Sequence, residues 1–135
     1  ASFGPGTPAR NGVITQAIST VAGNGYLLAF DFGSFGDVGS SLQVDVAGVS
    51  AVLASAGASS SLTNFGHYTY SFTATSASTL LRFADASPAN NGGSTDAFLT
   101  SVSVDAVRVT VPEPASLALL GLGLAGVGAS RRRKG

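Results

Sequence analysis

The chain has 135 residues, 44% of them apolar and only 10% charged, a length that points to one compact domain with little left over. Seven Lys+Arg cancel seven Asp+Glu, which argues against nucleic-acid binding driven by bulk charge. Cysteine is absent and histidine occurs once, which excludes a disulfide scaffold, a cysteine nucleophile and a thiolate or multi-histidine metal site.

The zero balance covers an asymmetry. Residues 1–110 hold Arg10, Arg82 and Arg108 against Asp31, Asp37, Asp45, Asp85, Asp96 and Asp105, whereas residues 111–135 hold Arg131, Arg132, Arg133 and Lys134 against Glu113. The reading therefore divides the chain into a domain over 1–110 and a tail over 111–135. No signal peptide is visible from Ala1 onward, so a leader removed ahead of it or a shortened N-terminus is expected.

Taken in chain order, residues 13–20 open the strand pattern. Over 26–32, Tyr26, Leu28, Phe30 and Phe32 share one face and Asp31 lies on the other. Strict alternation of this kind marks a half-buried strand. Residues 42–46 and 68–73 alternate equally strictly, and further strands are expected at 49–53, 79–84 and 98–110. In the last, Val102 and Val104 have the opposite parity to Val107 and Val109, and a bulge near Asp105 and Ala106 would restore the phase. Gly, Asn and Ser cluster at 23–25, 33–39, 57–61 and 85–96, where turns are expected. Seven short strands without a helix predict an all-β, antiparallel β-sandwich.

The tail starts with Val111, Pro112, Glu113 and Pro114. The prolines keep a helix from running back through Glu113. Residues 115–130 carry no ionisable group, and as a helix they would span about 24 Å. That is short of the roughly 30 Å hydrocarbon core, a gap that Val111 and snorkelling arginines partly cover. Leu117, Leu119, Leu120, Leu122, Leu124 and Val127 point all round the cylinder, unlike the stripe of a soluble helix. A C-terminal hydrophobic membrane helix over 115–130 is thus predicted, with Arg131, Arg132, Arg133 and Lys134 as its cytoplasmic stop. Its four glycines suit a transient segment.

Residues 111–117, the Gly/Leu-rich stretch and the terminal Arg cluster together resemble the PEP-CTERM sorting signal of Gram-negative bacteria. The resemblance implies an exported protein, held briefly in the inner membrane and processed near Pro112-Glu113-Pro114 by an exosortase. It also implies a destination at the cell surface or in an exopolysaccharide or biofilm matrix. The segments 11–16, 21–33, 68–74 and 96–104, in that order, resemble jelly-roll modules of the carbohydrate-binding or galactose-binding-like kind. The opening strand and tryptophan of such modules are missing.

Candidate site residues follow. His67 alternates with Thr69, Ser71 and Thr73 on a polar face, where an imidazole can bond a sugar hydroxyl. Phe35, in an expected loop between Gly33 and Gly36, is the exposed aromatic; Tyr68 and Tyr70 share parity with Phe72 and read as core. Asp85, Ser87, Asn90, Asn91 and Asp96 crowd one loop with hard oxygen donors of the kind calcium takes. Asp105 resembles the last-strand aspartate that holds a structural calcium in some related sandwich modules. Asp31 and Asp45 read as solvated charges that block edge pairing. No Gly-x-Ser-x-Gly elbow occurs. The expected protein is therefore not an enzyme and needs no cofactor, a structural calcium at Asp85, Asp96 and Asp105 being the one candidate. Its expected partners are an exosortase, the inner membrane, and exopolysaccharide or further copies of itself, with no nucleic acid. The other reading is a carbohydrate-active enzyme or its accessory module.

Overall fold

The computed structural model describes residues 2–3, 12–36, 38–61, 64–87, 95–108, 121–124 and 126. Eight strands follow one another: β1 (Ser2–Phe3), β2 (Val13–Ser19), β3 (Gly25–Gly36), β4 (Ser40–Val46), β5 (Val49–Ala56), β6 (Phe65–Thr73), β7 (Ser78–Asp85) and β8 (Thr95–Ala106). They form two four-stranded sheets, ordered β1-β8-β3-β6 and β2-β7-β4-β5. Every pairing is antiparallel. Strands that follow each other in sequence alternate between sheets, except across the β4–β5 hairpin, which is jelly-roll winding.

The period-two faces explain the core. Leu28, Phe30 and Phe32 of β3 meet Leu42 and Val44 of β4, and Leu81 and Phe83 of β7 close the layer. Phe30 is the hub, with Tyr68 stacked on it at 5.5 Å between ring centroids and Phe83 edge-on at 5.9 Å. Each such buried side chain contributes about 1.5–3 kcal/mol. The predicted core placement of Tyr68 and Tyr70 agrees with their packing against this cluster.

The tight hairpin between β4 and β5 turns on Ala47 and Gly48, at φ 52° and 80°. Two successive positive values are the signature of a type I′ turn. On the far side of β5, Tyr68 reaches across from the opposite sheet. Its hydroxyl donates to the Ser55 carbonyl at 2.7 Å and accepts the Ser55 N–H at 3.2 Å.

Several expectations are corrected. Among the described residues the strands number eight rather than seven, because β1 adds two residues opposite Phe98 and Ala97. Strand β3 continues to Gly36, so Phe35 stands in a strand and not a loop. The last strand stops at Ala106, and its phase slips between Ala29 and Asp31 of its partner, leaving Ser101 and Val102 across from Phe30. The bulge is therefore not at Asp105 and Ala106. Asp31 and Asp45 lie on interior strands, where they have no edge to guard. Asp45 instead accepts a bond from the Arg82 guanidinium at 2.9 Å.

In the tail, residues 121–124 are helical and exposed. Among the described residues no helix is long and apolar enough to cross a membrane. The rest of the predicted span 115–130, apart from Gly126, lies outside the described residues, as do Val111 to Pro114 and Arg131 to Lys134.

Candidate functional site

The outer face of the β1-β8-β3-β6 sheet gathers the site. Strand β3 runs between β6 and β8, and its outward residues are Leu27, Ala29, Asp31, Gly33 and Phe35, by alternation from the buried Leu28. Register sets their neighbours. Asp31 lies between His67 and Thr100, Gly33 between Phe65 and Phe98, and Phe35 beside Asp96.

The charged part is compact. His67 Nδ1 lies 2.7 Å from Asp31 Oδ1, with the His67 side chain 64% exposed. A carboxylate only accepts, so Nδ1 carries the proton and Nε2 is left for a ligand. The Ser101 side chain also bonds the Asp31 carboxylate. It is delivered there by the bulge, where Ser101 adopts φ 54°. Left-handed geometry at a non-glycine residue costs roughly 1–2 kcal/mol, and such strain concentrates at functional positions. The His67 hydrogen bond, chiefly, holds the Asp31 carboxyl below its ordinary range. Partial burial opposes this, and the Ser101 bond and the proximity of His67 reinforce it.

The apolar part lies one row away. A Cβ at Gly33 would stand 2.8 Å from the Asn64 carbonyl oxygen and 2.9 Å from the Phe65 ring. Glycine is thus what lets the Phe65 ring fold down over β3. Phe65 remains 38% exposed and Phe35 42% exposed, with Phe98 half-buried across Gly33. The face therefore sets polar acceptors and donors beside exposed aromatic rings.

His67 and Phe35, both named from sequence, share this face. Asp31, Phe65, Phe98 and Ser101 were missed as site residues. Phe65 has the same parity as His67, and Gly33 inside an apolar strand is the mark of a close neighbour. The calcium candidates do not converge. Asp96 and Asp105 are on one strand, nine residues and roughly 30 Å apart. Asp105 stands opposite Leu27, while Asp96 stands opposite Phe35. Among the described residues no three His, Asp or Glu side chains gather to hold a metal. Asp85 Oδ1 accepts the Ser87 N–H at 2.9 Å, an Asx turn. Asn90 and Asn91 lie outside the described residues.

A Ser-His-Asp nucleophile needs its serine on the imidazole. Here Ser101 bonds the carboxylate instead. A separate cleft of about 350 Å³ opens between residues 46–49 and 70–79, lined by Val46, Val49, Tyr70, Phe72 and threonines.

Comparison with known proteins places the tail. Residues 110–134 match the PEP-CTERM protein-sorting motif. The PEP-CTERM tail marks an exported protein sorted through the membrane by an exosortase. The chain matches no curated protein. The sandwich is similar to the EclA C-terminal domain, a sugar-binding protein, with a TM-score of 0.56 at 10% identity over 68% of this chain. The chain spans 65% of the length of that structure. It is also similar to a family 35 carbohydrate binding module from an environmental isolate (TM-score 0.49, 13% identity, 76% of this chain and 73% of that one). A CBM4 structure matches with a TM-score of 0.48 at 13% identity, over 70% of this chain and 73% of that one. At 10% identity the likeness to the EclA domain is one of fold.

Proposed function

We propose that this protein is a non-catalytic glycan-binding protein of the cell surface or extracellular matrix. An exosortase releases it from the inner membrane of a Gram-negative bacterium, and its sandwich holds exopolysaccharide. The observation that carries this reading is the array of Asp31, His67 and Ser101 beside the Phe65 ring over Gly33. A sugar ring has an apolar face of C–H groups and a rim of hydroxyls. An exposed aromatic ring stacks on the first. The Asp31 carboxylate and the free nitrogen of His67 accept hydrogen bonds from the second. The PEP-CTERM tail supports the address, and the fold shared with a sugar-binding protein supports the ligand class.

The test is binding to a panel of bacterial polysaccharides by pull-down and calorimetry, with His67→Ala and Phe65→Ala beside the parent chain. Each variant is expected to bind about tenfold more weakly, a loss of about 1.4 kcal/mol, with an unchanged circular dichroism spectrum. Unchanged binding in both variants overturns the assignment of the face. Release of reducing sugar from any bound glycan overturns the non-catalytic reading. Mass spectrometry of envelope and medium is expected to find a C-terminus near Pro112. Mature surface material that retains Gly135 overturns the sorting step.

A further inference from the structure

We propose that β2 is a pairing edge for a second copy of this chain, joined antiparallel about Gln16. The inference concerns a surface separate from the glycan face and does not depend on it. Among the described residues, strand β2 is the outer strand of its sheet and pairs on one side only, with β7. The Asp85 N–H donates to the Gly12 carbonyl and the Thr20 N–H to the Ala77 carbonyl. Hydrogen-bonded pairs alternate along an antiparallel ladder, so Ile14, Gln16 and Ile18 turn their backbone groups to β7. Val13, Thr15, Ala17 and Ser19 turn theirs outward. An outward row of this kind is a template for another strand.

The molecule treats its two edges of this sheet differently. On β5, Tyr68 occupies both outward groups of Ser55, and the pairing register with β4 is broken between Val44 and Asp45. Among the described residues, strand β2 has neither device. Its sequence, Val-Ile-Thr-Gln-Ala-Ile-Ser, contains no charge and no proline, and its register with β7 is unbroken. Lysine, proline and bulges are the usual means of blunting an edge. Most of its side chains are exposed.

A second copy fits because the outward groups are self-complementary. In an antiparallel register centred on Gln16, Val13 meets the partner's Ser19 and Thr15 meets the partner's Ala17. These are the residues whose N–H and C=O groups point outward. Ile14 then faces the partner's Ile18, apolar against apolar, and Gln16 faces the partner's Gln16, amide against amide. No charge opposes another within the strand pair. The two four-stranded sheets would join into one continuous sheet.

The test uses the full chain in mild detergent, by light scattering over a concentration series and by cross-linking. Because the parent has no cysteine, Gln16→Cys gives a single thiol. The proposed register puts the two Cα atoms at a non-hydrogen-bonded position, about 4.5 Å apart, within disulfide range. Rapid disulfide-linked dimer is expected from Gln16→Cys and not from Ser50→Cys on β5. Thr15→Pro removes one outward N–H and leaves the β7 ladder intact, and Gln16→Lys sets like charges face to face. Both are expected to abolish the dimer while retaining the parent circular dichroism spectrum. A parent chain that stays monomeric at every concentration overturns the proposal. So does a dimer that survives both substitutions, or one that cross-links equally through position 50. His67→Ala is expected to leave the dimer unchanged, which keeps this outcome distinct from the glycan test.

Discussion

Asp31 keeps its charge because His67 donates to it and Ser101 supports it. The direction of its shift fixes a pH dependence. A carboxyl held below its unfolded value adds stability that is fully present above that value, and this stability is lost as pH falls through the folded value. Chain stability is therefore expected to show an Asp31 contribution that persists through neutral and mildly acid solution and disappears only below the ordinary carboxylate range. Side-chain NMR titration checks this. The Asp31 carboxyl is expected to titrate below the ordinary aspartate range, and His67→Ala is expected to move its midpoint upward. Tyr68 offers a second measurement. Its ring is core, stacked on Phe30, while its hydroxyl caps Ser55. Tyr68→Phe is expected to cost about 1–2 kcal/mol in urea unfolding, since each hydrogen bond contributes about 1 kcal/mol. The ring of Tyr68 was legible in the sequence from its parity with Phe72. The task of its hydroxyl was not, because Ser55 lies on the other sheet. The same holds for the site: His67 and Asp31 are 36 residues apart and meet only through the β3–β6 register.

At the scale of elements, alternation carried most of the reading. Leu42, Val44 and Val46 alternate with Ser41, Gln43 and Asp45, and that face is the buried one. The failures lie where alternation breaks. The parity conflict between Val102 and Val107 announced a slip in β8 but could not locate it, because the slip is set by where Ser101 meets Asp31 on another strand. Gly33 and Gly36 looked like a loop around Phe35. They are instead places where β3 admits a neighbour's ring and ends its pairing. Strand β1 is two residues long, too short for any periodicity. The β4–β5 hairpin yields a clean test. Ala47 sits at φ 52° with a Cβ that disfavours it, ahead of Gly48. Asn-Gly is the preferred type I′ pair, and left-handed geometry costs roughly 1–2 kcal/mol for residues other than Gly, Asn and Asp. Ala47→Asn is expected to stabilise the chain by about 1 kcal/mol, read as a higher urea midpoint with the same slope.

At the scale of the whole molecule, the sandwich closes on itself before the PEP-CTERM tail begins. The Val107 N–H donates to the Gly25 carbonyl at 2.9 Å, just beyond the end of β8. Among the described residues the core cluster draws on β2 through β8. A chain ended after residue 110 is therefore expected to melt at the same temperature as the full chain, measured by circular dichroism in the same detergent. The PEP-CTERM sorting motif was legible because a proline pair, an uncharged run and a basic end differ so sharply from what precedes them. The candidate face was not, since it is assembled from β3, β6 and β8, far apart in sequence.

Strand β8 is flanked by β1 on one side and β3 on the other, and it is the strand from which the tail departs. Tension applied along that strand meets the rungs of the β3–β8 ladder together, in shear, instead of unzipping them singly. The face bearing Asp31 lies on this same sheet, so a load between that face and the end of β8 crosses one layer and leaves the other slack. A pull on the end of β8 is thus resisted by a strand held on both sides.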